Sequence, residues 1–251
     1  MKRILITGAS SGIGEATAFK AARDGWQVIA CGRNQAKLED MRFKHPGIIP
    51  LAFDVTDVEQ CRKALAGVAA DVVLLNAGAC EYVDADDWDS ALVERVFRTN
   101  VFGVANCLDA LLPTMQAGSK LVFIDSLARL LPFTRSQAYG ASKAALFYMA
   151  KSLDVDLKDR GIRVQTISPG FVKTPLTDRN DFAMPMRISA EEAARSIMRH
   201  IERGTQTGYF PTVFATVLRA LSMLPMSLQI RLCRRLRTEP SSTDMAQAQD
   251  A

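Results

Sequence analysis

Short apolar runs alternate along this chain with longer stretches in which apolar residues recur at helical spacing. Arg3–Thr7, Gln27–Cys31, Ile48–Phe53, Asp71–Leu75, Lys120–Ile124 and Arg163–Ile167 read as strands. Val72–Leu75 is apolar throughout, as suits a strand buried on both faces. Between the strands the pattern predicts helices over Glu15–Asp24, stopped by Gly25, and over Gln35–Phe43, stopped before Pro46 and Gly47. A third runs to Ala66, capped by Thr56 or Asp57. One or two more cover Asp86–Met115, another starts at Gln137, and Ser189 with Glu192 forms a capping box for the next. Such alternation predicts an α/β fold with a doubly wound parallel sheet. The end of the chain breaks the rhythm. Thr207–Pro211 gives at best a short strand. Thr212–Arg237 is apolar with Arg219, Arg231, Arg234, Arg235 and Arg237, has no acidic residue, and is split by Pro225 into two helices. The expected organisation is a single domain over 1–210, a helical extension over 211–238 and a polar, disordered tail over 239–251.

Composition narrows the class. With 251 residues, 48% hydrophobic and 23% charged, the chain has the make-up of one ordinary soluble domain. A net charge of +4 is too mild to indicate nucleic acid. No run of about 20 apolar residues is there to span a bilayer, and Met1–Gly8 reaches a glycine-rich loop too soon for a signal peptide. Cys31, Cys61, Cys80, Cys107 and Cys233 lack paired spacing, which suits a reduced cytoplasm. With only His45 and His200, a zinc cluster or Ser–His catalysis has little to build from, and no metal is expected.

The chemistry-bearing residues fall where strands end. Thr7 runs into Gly8-Ala-Ser-Ser-Gly12-Ile-Gly14 and then a helix, the setting in which backbone N–H groups and a helix N-terminus meet a pyrophosphate. The spacing is Gly-x-x-x-Gly-x-Gly rather than Gly-x-Gly-x-x-Gly, so a plain tight turn is the alternative. The second strand ends in Cys31-Gly-Arg33-Asn34, with no acid before Glu39 to bind ribose hydroxyls. Arg33 can instead pair with a 2′-phosphate, which favours NADP over NAD; the bland reading is one more solvated charge. Asn76-Ala-Gly78, Ser126 and Pro169 also sit at strand ends, the edge at which open parallel sheets bind ligands. Tyr139 and Lys143, four apart on a helix, share a face. An ammonium about 4 Å from the phenol, at an effective dielectric of about 20, would lower its pKa from about 10 by about 3 and make an acid–base pair for neutral pH. Asn100, followed by Val101-Phe-Gly103 inside a helix, is a local conflict of weak helix formers, either functional or bonded to nearby backbone.

Together these residues resemble the short-chain dehydrogenase/reductase family over roughly Met1–Glu202. Thr7-Gly-x-x-x-Gly-Ile-Gly14, Asn76-Ala-Gly78, Asn100, Ser126, Tyr139-x-x-x-Lys143 and Pro169-Gly170 stand in the family's order. The resemblance implies a Rossmann-type sheet and hydride transfer between a nicotinamide cofactor and a carbonyl or secondary alcohol. It makes Tyr139 the acid/base, and Lys143 the residue that lowers the Tyr139 pKa and bonds the nicotinamide ribose. Ser126 would bond the reacting oxygen, and Asn100 would hold a water linking Lys143 to solvent. Gly8, Ser10, Ser11, Gly12, Ile13 and Gly14 would line the pyrophosphate, with Arg33 at the 2′-phosphate. Asp54 and Val55 would meet the adenine, and Asn76, Ala77 and Gly78 would support its pocket. Pro169, Gly170, Val172 and Thr174 would frame the nicotinamide amide.

Several positions depart from the family pattern. Leu75 stands where many relatives have Asn, Asp125 where a small hydroxyl residue is common, and Arg129 where Gly is common. Two charges beside the chemistry can alter substrate preference or a local pKa. Ser11 lacks the basic side chain of many NADP-using relatives. The C-terminus lacks the strand and Gly-rich tail that often build a tetramer; the expected assembly is a homo-oligomer, with a dimer favoured.

Pro175–Ile188 is the expected substrate loop. Its Phe182, Met184 and Met186 either offer a soft surface to an apolar substrate or pack beneath the loop. The basic extension can lie on an anionic membrane surface, cover the active site or form a dimer contact. The expected function is a cytoplasmic NADP-dependent oxidoreductase of a small-molecule carbonyl or alcohol. Two readings compete with it. One is a non-catalytic NADP-binding regulator, which has no need of Asn100, Ser126, Tyr139 and Lys143 together. The other is a membrane-surface reductase of lipid-like carbonyls.

Overall fold

Seven parallel strands form one sheet in the order β3-β2-β1-β4-β5-β6-β7. They are β1 Arg3–Thr7, β2 Gln27–Gly32, β3 Ile48–Ala52, β4 Val72–Leu75, β5 Lys120–Ile124, β6 Arg163–Pro169 and β7 Thr207–Phe210. The helices are α1 Gly12–Arg23, α2 Gln35–Lys44, α3 Val58–Leu65, α4 Ser90–Phe97, α5 Gly103–Leu111, α6 Gln137–Asp156, α7 Ala190–Arg203, α8 Thr212–Ser222 and α9 Met226–Arg235. This computed structural model describes residues 1–178 and 184–236, so Phe182, Arg237 and the expected tail over 239–251 lie outside the described residues.

Strand side chains alternate between two cores, as a pleat of period two requires. Ile4, Ile6, Val72, Leu74, Val122 and Ile124 face the layer of α1, α2 and α7. Leu5, Val73, Leu75, Leu121 and Phe123 face the layer of α3, α5 and α6. The fold is the expected Rossmann-type, doubly wound α/β sheet, and the described loops that carry candidate site residues leave from its C-terminal edge.

Beyond shifts of a residue at several element ends, three local differences from the pattern reading bear on the site. Helix α1 opens at Gly12 rather than Glu15, because tertiary packing of its small face against the sheet overrides weak glycine propensity. Strand β6 continues through Ser168 and Pro169 because β7 pairs there, Ser168 with Tyr209 and Pro169 with Phe210. The conflict at Asn100 becomes a π-helical turn, Arg98–Phe102, between α4 and α5, the rare form found mostly as a single-turn bulge within α-helices.

Helices α8 and α9 pack inward. Ala215, Leu218, Leu221 and Cys233 meet Leu127 and Leu131, which follow Ser126 at the end of β5. Gly170 lets the helices close on this loop, since a Cβ there would lie 3.0 Å from Phe214 and 3.3 Å from Leu127. Among the described residues no helix is long and apolar enough to cross a membrane.

Candidate active site

The glycine loop lies between β1 and α1. Gly8 and Gly12 have φ of 68° and 56°, the left-handed region that favours glycine. A Cβ on Gly14 would fall 2.1 Å from the Gly8 carbonyl oxygen, so only glycine lets α1 pack this close to the loop. Ser11 makes no side-chain cap bond at α1, as is also true at α4, α6, α8 and α9, whereas Asn34, Asp57 and Ser189 cap α2, α3 and α7. The first N–H groups of α1 therefore face the sheet's ligand edge without a side-chain cap, a cradle that fits a pyrophosphate.

The end of β2 runs beside this loop: a Cβ on Gly32 would lie 2.9 Å from Ser10 Oγ. Arg33 follows with its side chain 80% exposed and its guanidinium 3.8 Å from Asp54 Oδ2, so most of its donors face solvent. Asp54 also accepts from the Thr56 N–H and hydroxyl. Val55 fills the space over Gly103, where a Cβ would meet it at 2.8 Å.

Strand β4 delivers the Asn76–Gly78 turn. Thr7 Oγ1 accepts from the N–H groups of Asn76 and Ala77, and Asn76 Nδ2 donates to the Thr7 carbonyl at 3.0 Å. These bonds lock the ends of β1 and β4 together. Asn100, fully buried, accepts from Ala79 N–H at 2.7 Å and donates to Ala79 O and Ser142 Oγ, each at 2.9 Å. Both amide hydrogens are thus committed to clamping this turn onto α6, and a water at Asn100 would have to donate to its oxygen.

Helix α6 carries Tyr139 and Lys143. Lys143 is 4% exposed and its Nζ donates to the Ile124 carbonyl at 2.9 Å. It sits 5.7 Å from the Tyr139 ring centroid. Ser126 accepts from the Ala128 N–H at 3.1 Å, and its hydroxyl lies close enough to the Tyr139 phenol to bear on its ionisation. Ser126, Tyr139 and Lys143 therefore converge at the ends of β4 and β5.

Their ionisation departs from the simple expectation. Burial raises the Tyr139 phenol well above its ordinary value, Cys80 adds to the rise, and the Ser126 hydroxyl opposes it. Burial brings Lys143 down to about 8, against the carboxylate of Asp125 and the thiol of Cys80. With its proton aimed at Ile124, Lys143 does not give the chain alone a lowered Tyr139 pKa.

Beyond β6, the Gly170 N–H is committed to Phe210 O at 2.7 Å. Thr174 lies against the glycine loop, 3.2 Å from a Cβ placed on Gly12. Val172 is buried and bridges to Ile188, which closes the base of the expected substrate loop. Met186 in that loop is 53% exposed. No group of three His, Cys, Asp or Glu is placed to hold a metal ion among the described residues.

A family model described as short chain dehydrogenase matches residues 2–184. The chain belongs to the short-chain dehydrogenase family. An uncharacterized oxidoreductase of Myxococcus xanthus is 36% identical over 244 residues, covering 93% of this chain and 96% of that protein. That span includes most of α8 and α9, so the extension is shared with a relative. A serine 3-dehydrogenase of Rhizobium radiobacter is 35% identical over 187 residues, 69% of this chain and 73% of that one. In fold, a short-chain dehydrogenase of Burkholderia cenocepacia solved with NADP superposes with a TM-score of 0.82 at 23% identity, covering 92% of this chain and 99% of that one.

Three further residues support the candidate site in ways to which the sequence assigned no role. Thr7 pins the Asn76 turn, Ser142 holds Asn100, and Cys80 faces the Tyr139–Lys143 pair. Thr7 and Ser142 sit inside quoted motifs, but their bonds span 69 and 42 positions, beyond what spacing reveals. A groove of about 560 Å³ between α9 and the start of α6 is lined by Gly140, Ala141 and Ala144 and by neither Tyr139 nor Lys143, so it is not the reaction site.

The low Lys143 pKa has a stability consequence. Unfolded, a lysine titrates near 10.4, so between pH 8 and 10 the unfolded chain holds more protons and parent stability rises relative to a variant without the amine. Lys143→Met should therefore lose ground to the parent by roughly 2 kcal/mol between pH 8 and pH 10, measured by urea unfolding. The lost bond to Ile124 adds only a pH-independent offset. A constant difference would contradict the buried-charge assignment.

Proposed function

We propose that this enzyme is NADP-dependent and transfers hydride between the nicotinamide and a carbonyl or secondary alcohol, with Tyr139 as acid/base. The convergence of Ser126, Tyr139 and Lys143 beside an uncapped α1 N-terminus carries the reading. When bound, the nicotinamide supplies or accepts the hydride and, oxidised, brings a positive ring to the site. Ser126 orients the substrate oxygen by a hydrogen bond. Tyr139 gives that oxygen its phenolic proton in reduction and removes it in oxidation, while the Lys143 charge offsets the phenolate left behind. Gly8, Ser10, Ser11, Gly12, Ile13 and Gly14 hold the pyrophosphate, and Asp54, Val55 and Ala77 border the adenine side. Pro169, Val172 and Thr174 border the nicotinamide.

The test is NADPH oxidation with a panel of aldehydes, ketones and quinones, parent beside Tyr139→Phe. The exposed Met186 favours apolar carbonyls, and the serine 3-dehydrogenase relative brings small polar ones into the panel. Turnover should fall by about 10² to 10⁴ in the variant. Full turnover without the phenol would refute the acid/base, and cofactor binding with no turnover on any carbonyl would favour a regulator.

For the 2′-phosphate, the support is Arg33 itself: solvent-facing, at the end of a strand that carries no acid there, and held only loosely by Asp54. Arg33→Ala should raise KM for NADPH about 10- to 100-fold, the worth of a charge-assisted bond, and leave KM for NADH nearly unchanged. Equal effects on both would remove Arg33 from the phosphate.

The extension favours a second, peripheral reading. With its inner face spent on Leu127 and Leu131, it exposes Val213, Val217, Met223, Met226 and Leu228, with Arg231, Arg234 and Arg235 also exposed. Self-pairing of this basic face would bring like charges together, whereas anionic lipid complements it at about 1 kcal/mol per basic residue. A homodimer is better served by the outer face of α6, where Tyr148 and Val155 are 79% and 75% exposed. Flotation should recover the enzyme with anionic vesicles, less with neutral ones, and less again after Met223→Glu. Absence of flotation on anionic vesicles would sink the lipid reading.

A further inference from the structure

Two departures from the family pattern, Asp125 and Arg129, form a buried ion pair next to the reacting groups. Arg129 Nε lies 2.5 Å from Asp125 Oδ2, with side chains 8% and 0% exposed. The guanidinium stacks 3.5 Å over the Phe147 ring of α6. Its Nη2 reaches Ser168 Oγ and Tyr209 Oη, each at 3.4 Å. Arg219 of α8 in turn lies over the Tyr209 ring at 4.6 Å. One guanidinium thus ties the turn after Ser126 to the catalytic helix, the end of β6, strand β7 and, through Tyr209, the extension.

The other carboxylate oxygen, Asp125 Oδ1, is buried without a hydrogen-bond partner. A buried pair of this kind is weak evidence for stability, because desolvation of both ions offsets their attraction. An unsatisfied oxygen makes that balance worse. A pair retained for packing alone would be served as well by apolar side chains, which points to a role for the charge. Lys143 is the buried cation nearby, since its Nζ donates to the carbonyl of Ile124, the residue before Asp125, and the Asp125 carboxylate acts on Lys143 against burial.

We propose that Asp125, locked in place by Arg129, is a positioning residue: it fixes the Ser126 turn against α6 and supplies the buried counter-charge for Lys143. The groups facing this cluster are Tyr139, Lys143 and Lys151 from α6, Cys80 from the loop after β4, and Tyr209 from β7. Of these, Lys143 and Lys151 are cations, and Lys151 is already held by Thr207 Oγ1 at 2.9 Å. Removing the Asp125 charge makes the Lys143 ammonium harder to keep, so Lys143 gives up its proton at lower pH.

This inference rests on the Tyr139–Lys143 reading for its functional meaning, and the experiment separates the two. Protein labelled with ¹³C-lysine is titrated by NMR, with the Lys143 ¹³Cε signal assigned by its absence from Lys143→Met. Asp125→Asn is compared with the parent. Because a lone buried Arg129 can unfold the chain, the double variant Asp125→Asn/Arg129→Met, which removes both charges, is measured beside it. The expected result is a Lys143 midpoint about 1 pH unit lower in Asp125→Asn, and a smaller fall in the double variant, where the Arg129 charge is lost as well. The alkaline limb of kcat should move down with it, while KM for NADPH changes little. An unmoved Lys143 midpoint with only a lowered Tm would overturn the proposal and leave a structural pair. The NMR titration needs no turnover, so it stands or falls apart from Tyr139 catalysis.

Discussion

A lysine ammonium buried to 4% exposure is the constraint around which this site is built. Such a charge persists only where partners repay part of its lost hydration. The end of β5 supplies them in consecutive residues: the Ile124 carbonyl accepts its proton, Asp125 opposes it with negative charge, and Ser126 meets the neighbouring Tyr139. The turn after β4 must pass close over the same nitrogen. It does so at Gly78, where a Cβ would lie 3.4 Å from Lys143 Nζ and 3.2 Å from Asn100 Oδ1. Asn100 then holds that turn from the π-helical side.

The same geometry explains why the chain by itself holds a poor acid–base pair. Burial drives Tyr139 and Lys143 both toward their neutral forms, one phenol up and one ammonium down. Under the proposed function, a positively charged nicotinamide ring would push the phenol the other way, and readiness for proton transfer would then follow cofactor binding. Helix α1, with no side-chain cap, would be the complementary half of the proposed arrangement, with its dipole offered to a cofactor's anionic end.

Much of this is legible in the sequence. Strands β1 and β5 have the bounds their apolar runs predicted, because a central parallel strand has to be apolar on both faces. Pro225 split the extension where expected, and the Asn100–Gly103 conflict marked the π-helical turn. The candidate site was visible as residues gathered at strand ends. What pattern could not supply were interactions between distant segments: the clamp of Asn100 on Ala79, the Arg129 stack on Phe147, and the seat of α8 on Leu127. The direction of the Tyr139 shift was hidden for the same reason. Helical spacing put Lys143 on the right face, but the carbonyl of Ile124, from another strand, decides where its proton points.

The most direct test is an ultraviolet difference titration of the Tyr139 phenol, with Tyr139→Phe as the blank, in the protein alone and with NADP⁺. The account predicts phenolate absorbance in the protein alone only above the ordinary phenol value of about 10, and a shift toward neutral pH when NADP⁺ binds. A phenol that ionises below that value without the cofactor, or that NADP⁺ leaves unmoved, would contradict it.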